Sequence, residues 1–153
     1  MAEIFLLTVG KLKDTEIEKL ESDYLKRLTL FKFKIIECKS FSENLALEAA
    51  EVMKKIKELS GNSSPYLITL EEKGKMRDSV QFAKWLCDEV MNKAQKIFLI
   101  IGGASGHGEE VLKAKSESIS LSPLTFPHKM ARLILVEQLY RAQTIHEGHP
   151  YHK

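Results

Sequence analysis

Four of the five histidines, His128, His146, His149 and His152, lie between position 128 and the end of a 153-residue chain. At neutral pH an imidazole can move a proton, ligate a metal, or stack and hydrogen-bond on a nucleic-acid base. A metal needs its ligands on one face. His146, His149 and His152 recur every third residue, but Gly148 and Pro150 spoil a helical face, and His146-Glu147-Gly148-His149 is not the His-Glu-x-x-His of zinc hydrolases. No metal is therefore expected. The tail reads either as a polar, partly cationic end that meets phosphate or a base, or as a frayed terminus without function.

Two further stretches carry candidate chemistry. Ile100-Ile101-Gly102-Gly103-Ala104-Ser105-Gly106-His107-Gly108 puts glycines just after an apolar run, where backbone amides can approach a ligand. It matches neither Gly-x-Gly-x-x-Gly nor the P-loop, so a cofactor loop and a structural turn both remain open. Ser118 to His128 holds small hydroxyls, Pro123 and Pro127, and apolar residues without a regular period. Such a segment can wrap an adenine with backbone hydrogen bonds, or can simply set the entry of the next helix. Beyond it, Glu137 and Arg141 are spaced i, i+4 among Leu133, Ile134, Leu135, Val136, Leu139 and Tyr140. A helix apolar on more than one face packs on its own sheet and on something else, which predicts a homodimer.

The elements that must position these residues follow from periodicity. Ile4–Val9 is a nearly continuous apolar run, hence a central strand buried on both faces. A helix is expected over 14–30 with Asp14 or Thr15 as N-cap, a strand over Phe33–Glu37, and a helix over Ser42–Leu59 with a Ser-Glu start and a Gly61-Asn62 stop. Strands at Pro65–Leu70 and Ile97–Ile101, helices at Ser79–Met91 and Glu109–Ser116, a brief strand at Ile119–Leu121 and a last helix from Pro127 to about Ile145 complete the alternation. After Gly148 the tail should leave the helix and extend. Strands separated by helices, apolar rather than alternating, argue for an α/β fold with a mostly parallel sheet and helices on both faces.

Length and composition bound the rest. One domain over residues 1–153 can bury a core at 44% hydrophobic content, and the longest apolar runs are too short to cross a membrane. A cytoplasmic protein is expected, with Cys38 and Cys87 as reduced core thiols. The net charge of +2 does not by itself announce a nucleic-acid binder.

Several strings together carry a resemblance: Val9-Gly10-Lys11-Leu12, Ile68-Thr69-Leu70, Ile101-Gly102-Gly103, Ser120-Leu121-Ser122, Leu124-Thr125-Phe126-Pro127-His128, Glu137-Gln138-Leu139-Tyr140-Arg141-Ala142 and Pro150-Tyr151-His152-Lys153. In order and over nearly the whole chain, they resemble the RlmH family, bacterial methyltransferases of the SPOUT class that methylate N3 of a pseudouridine in 23S ribosomal RNA. The resemblance implies a C-terminal deep trefoil knot, which periodicity does not reveal, and a homodimer with bent S-adenosylmethionine in the knot loops. By position it assigns the cofactor to Leu70, Gly102, Leu121, Ser122, Pro123, Leu124, Thr125 and Phe126. It implies 23S rRNA in the assembled 70S ribosome as partner, with shape and ribosomal proteins offsetting the modest charge. His107 stands where the family pattern often has an apolar residue.

The same resemblance brings the tail close to the cofactor of the neighbouring subunit. On that placement His152 is the candidate base, Tyr151 a positioning or stacking group and Arg141 an electrostatic or RNA-binding group, with His128 as the alternative base. A ribosome-bound module without catalysis and a histidine-based metallohydrolase are the competing classes; neither accounts for the paired loop motifs.

Overall fold

Ile4, Leu6 and Leu7 are wholly inaccessible to solvent, so the run read from the sequence as a central strand is one. In the computed structural model, which describes residues 1–42 and 44–153, the strands are β1 (Glu3–Val9), β2 (Lys32–Cys38), β3 (Tyr66–Met76), β4 (Lys96–Ile101) and β5 (Glu117–Ser120). They form one sheet in the order β2-β1-β4-β3-β5, and every pairing is parallel. The connecting helices are α1 (Thr15–Arg27), α2 (Leu45–Ser60), α3 (Ser79–Lys84), α4 (Glu109–Ala114) and α5 (His128–Glu147).

Alternation along the buried strands divides the core in two. Ile4, Leu6, Ile68, Leu99 and Ile101 point to one face, where Phe82, Trp85 and Leu86 of the α3 segment and Leu135, Val136 and Leu139 of α5 cover them, with Tyr24 and Leu25 of α1 alongside. Phe5, Leu7, Leu67, Phe98 and Ile100 point to the other, under Ala49, Val52 and Ile56 of α2 and Val111 of α4. A strand with a helix layer on each side has no polar face, which is why these runs do not alternate in sequence.

The helix ends follow capping chemistry. Asp14 accepts from the Ile17 amide at 3.0 Å and starts α1, which stops at Arg27, short of the expected residue 30. Asn44, not Ser42, caps α2 by accepting from the Leu47 amide; the Glu43 half of the expected Ser-Glu start lies outside the described residues. Asp78 and Gln81 form a capping box on α3, which continues through a π-helical turn at Trp85–Glu89 and a 3-10 turn at Val90–Asn92. Gln143 of α5 accepts from the Thr29 and Leu30 amides and donates to the Arg27 carbonyl, tying the α1–β2 connection down.

β3 is longer than its apolar run. Leu70 and Lys75 both stand opposite Ile119 of β5, so residues 71–74 leave the ladder and return. The return depends on Gly74, because a Cβ there would lie 2.4 Å from the Ile119 carbonyl carbon. This excursion sets one lip of the site.

The tail does not extend. Gly148, at φ 72°, ends α5 by donating to the Ile145 carbonyl while His149 donates to that of Thr144, and the chain then folds back on α5. The contacts that draw it back are side-chain contacts with Glu137, Tyr140 and Arg141, which no local signal specifies.

Candidate active site

The carboxyl ends of β4 and β5 and the excursion of β3 between them open into a cavity of about 500 Å³, the position where open parallel sheets bind ligands. Three segments enclose it. Leu70 comes from the point where β3 leaves its ladder with β5, Gly102 to His107 from the loop after β4, and Leu121, Ser122, Leu124, Thr125 and Phe126 from the connection into α5. His128 stands on the rim. Thus seven of the eight residues expected to hold the cofactor converge on the lining, and the eighth, Pro123, is exposed between Ser122 and Leu124, which are both part of it.

The glycine loop is shaped by backbone contacts. The Gly106 amide donates to the Gly103 carbonyl at 2.9 Å and closes a tight turn, with Gly106 at φ 90°. A Cβ on Gly102 would stand 2.5 Å from the Gly106 carbonyl oxygen, so a side chain at 102 must push the turn open. His107 ties the loop to β3, its Nε2 donating to the Leu70 carbonyl at 2.9 Å. Burial lowers the pKa of this imidazole below its ordinary value against the opposing effect of that hydrogen bond, so it is neutral at pH 7.

The third wall is held locally. Ser120 Oγ donates to the Ser122 carbonyl at 3.0 Å, and the Leu124 amide donates to Ser122 Oγ at 2.9 Å. Such serine contacts fix the loop without secondary structure. Across the opening, Thr125 Oγ1 donates to Glu72 Oε1 at 3.1 Å, joining this wall to the β3 excursion.

Glu71 and Glu72 are lining residues that sequence reasoning missed. Glu71 accepts from Thr69 Oγ1 at 2.6 Å and from Lys115 Nζ at 2.7 Å. Burial alone would raise its pKa, but those donors hold it below the carboxylate range. A usable signal existed: two consecutive acids directly follow Leu70 at the carboxyl end of a parallel strand.

The other expected residues meet elsewhere, at the far end of α5. Arg141 Nε donates to Glu137 Oε1 at 2.9 Å with Nη2 in ion-pair contact at 2.7 Å, and Tyr151 Oη donates to the same oxygen at 3.1 Å. The Arg141 guanidinium stacks over the Tyr151 ring, 4.8 Å from its centroid, and the Tyr151 and Tyr140 rings meet edge to face at 5.0 Å. Burial, then the Tyr24 hydroxyl and the Glu137 carboxylate, push the Tyr151 phenol up, so it stays protonated. Arg141 Nη1 lies 3.0 Å from His152 Nδ1. A guanidinium has no acceptor, so Nδ1 accepts and the proton of a neutral His152 sits on Nε2. His152 therefore presents a donor outward.

Within one chain the two groups are separate. From His128 to Arg141 the helix rises roughly 20 Å at 1.5 Å per residue, too far for one reacting atom to meet both. Along α5 the surface away from the sheet stays apolar in part, with Met130 42% exposed and Leu133 and Ile134 half-buried.

Comparison with known proteins gives the family and the fold. Residues 2–152 match the family model described as "Predicted SPOUT methyltransferase". Ribosomal RNA large subunit methyltransferase H of Listeria welshimeri is 40% identical over 158 aligned positions, covering 98% of this chain and 99% of that protein. Its namesake in Koribacter versatilis is 35% identical over 144, covering 94% and 93%. Among solved structures, a methylase-family protein of Haemophilus influenzae shares the fold at TM-score 0.57 and 14% identity, over 99% of this chain and 70% of that one. The SpoU methyltransferase AviRb of Streptomyces viridochromogenes, solved with AdoMet, does so at 0.52 and 13%, over 91% and 57%.

Proposed function

We propose, from the premise that this chain belongs to the SPOUT methyltransferase family, that it transfers a methyl group from S-adenosylmethionine to N3 of a pseudouridine in 23S rRNA. The observation that carries the reading is the convergence of Leu70, the Gly102 turn and the stretch from Leu121 to Phe126 around one cavity at the carboxyl ends of adjacent strands. The cofactor fits that cavity in size and charge. The lining holds two carboxylates and no lysine or arginine, and Lys115 neutralises one of the two. A ligand with one net positive charge, as the sulfonium, ammonium and carboxylate of S-adenosylmethionine give, complements what is left.

What the cofactor supplies when bound is a methyl group already activated by its sulfonium. The protein must hold the nucleotide in line, accept the N3 proton and stabilise charge developing on the flanking carbonyl oxygens. In this reading Arg141 and the Nε2–H of His152 serve those carbonyls, Tyr151 stacks on or positions the base, and His128 on the cavity rim takes the proton. The earlier expectation of His152 as base gives way to a donor role, because its Nδ1 accepts from Arg141.

Because tail and cavity lie roughly 20 Å apart in one chain, a working centre draws its cavity from one copy and its tail from another. The half-exposed apolar flank of α5 supplies the surface for such a homodimer. We further propose that the domain spans the whole of 1–153, carries the family's deep trefoil knot, works in the cytoplasm, and takes its RNA from the assembled 70S particle. At a net charge of +2 the chain has little phosphate attraction of its own, so naked rRNA fragments should be poor substrates beside 70S ribosomes.

A mixing experiment tests the composite centre. Gly102→Trp should bind no cofactor, and a chain lacking residues 151–153 should bind cofactor but transfer nothing to 70S ribosomes. Mixed and re-equilibrated, the two should regain up to about a quarter of wild-type turnover, since heterodimers hold one intact centre. Activity in the truncated chain alone, or none in the mixture once heterodimers are verified by mass, contradicts the reading. Mass mapping of the methylated base identifies the nucleotide.

A further inference from the structure

Glu72 is the one acidic lining residue without a cationic partner among the described residues. Its neighbour Glu71 is closed off by Lys115 at 2.7 Å and by Thr69, whereas Glu72 is solvent-exposed and bonded only to the Thr125 hydroxyl at 3.1 Å. That bond is informative. It turns the carboxylate across the mouth, toward the wall that the cofactor reading assigns, instead of leaving it to rotate in solvent. Lys73 and Lys75 flank it in sequence, yet neither lines the cavity. The other titratable groups at the wall are His107, neutral and hydrogen-bonded to Leu70, and His128 on the rim. Thus Glu72 is the carboxylate at the wall that keeps its charge unpaired among the described residues.

Methyl transfer changes the charge of what the cavity holds. The donor carries a sulfonium; the product is a thioether with the same ammonium, carboxylate and adenosine. Van der Waals contacts and hydrogen bonds to the nucleoside cannot separate the two, because those groups are common to both. A spare carboxylate can, since its attraction to the sulfonium disappears with the reaction.

We infer that Glu72 is a specificity-determining residue that makes the cavity prefer the sulfonium donor over its thioether product, and so favours exchange of product for fresh donor. This rests on the cofactor reading above. An exposed carboxylate a few ångströms from a cation, screened by solvent, is worth about fivefold in affinity, which is about 1 kcal/mol.

Calorimetry on the full-length protein tests it with S-adenosylmethionine and S-adenosylhomocysteine as separate ligands. Glu72→Gln should raise the Kd of the donor about fivefold while moving that of the product less than about twofold. Glu72→Asp, which keeps the charge, should restore most of the donor's affinity. Raising ionic strength from 0.05 to 0.5 M should narrow the donor–product gap of the wild type and leave that of Glu72→Gln unchanged. Equal weakening of both ligands would overturn the inference, since Glu72 would then hold a group common to both or merely tie the two walls. No weakening of either ligand would also overturn it. If wild-type protein binds neither ligand, the cofactor reading itself fails, and that outcome is visible before any variant is made.

Discussion

Glu137→Gln isolates the docking of the tail from everything else in the proposed centre. Glu137 Oε1 receives two hydrogen bonds, one from Arg141 Nε and one from Tyr151, and an ion-pair contact from Arg141 Nη2, on a side chain only 17% exposed. Glutamine keeps the shape and one acceptor oxygen but removes the charge that strengthens both hydrogen bonds and makes the ion pair. Partly solvated charge-assisted bonds of this kind are worth about 1–2 kcal/mol in total after screening, which corresponds to roughly a tenfold loss of docked tail. Hydrogen exchange of the 148–153 peptide, read by mass spectrometry, reports the docking. Single-turnover methylation of 70S ribosomes reports its consequence. Both should move about tenfold, while cofactor Kd stays within about twofold, because Glu137 does not line the cavity. Freer exchange with undiminished turnover would show that the docked tail is irrelevant to transfer. Lost turnover with unchanged exchange would show that Glu137 acts by another route; either result refutes the reasoning.

Other consequences are as concrete. Gly102→Ala places a methyl 2.5 Å from the Gly106 oxygen and should weaken cofactor binding by about tenfold or more in calorimetry, with the far-ultraviolet circular dichroism unchanged. Arg132→Met should cost roughly 3–5 kcal/mol in urea unfolding, because Glu21, with 4% of its side chain exposed, loses both bonds of a bidentate pair. Glu37 lies below the ordinary carboxylate value of 4.5: burial raises it, but the hydrogen bonds from Arg132 and the Leu12 amide prevail. Its contribution is therefore present above pH 4.5 and lost as pH falls through the folded value, so the pH dependence of stability below about 4.5 should shrink in Arg132→Met. Burial pushes the Cys38 and Cys87 thiols up to about 11, and native protein at pH 8 should be alkylated by iodoacetamide on the order of 100-fold more slowly than a free thiol. Rapid labelling followed by mass spectrometry would contradict that.

The layered sheet was readable because β1 and β4 are buried on both sides and leave unbroken apolar runs such as Ile97–Ile101. Where an element lacks that signature, reading stops short. Residues 71–76 of β3 are largely polar, since 71–74 leave the ladder beside a cavity and only Lys75 and Met76 pair, with the edge strand β5, so Leu70 looked like the end of the strand. The caps divide in the same way: Asp14 was legible from its place before a helical pattern, whereas nothing in Ser42 and Asn44 said which would cap α2. The Gly102 loop could be marked because it follows an apolar strand and the 118–128 stretch because of its hydroxyls and prolines, whereas Leu70 came only from the family resemblance. That Thr125 reaches Glu72 depends on how two loops distant in sequence approach each other. Gly148 announced the helix end, but the return of Tyr151 and His152 needed Glu137, Tyr140 and Arg141 in place.

The strand order β2-β1-β4-β3-β5 bears on how the chain is made. Glu3 finds its neighbour Lys32 soon after synthesis begins, yet its other neighbour is Lys96. At ribosomal speeds of roughly 5–20 residues per second, the far edge of β1 waits about 5–20 s for its partner to be translated. During that interval a hydrophobic ribbon with open backbone groups is attached to a ribosome, and the native fold cannot yet keep it from pairing with another nascent chain.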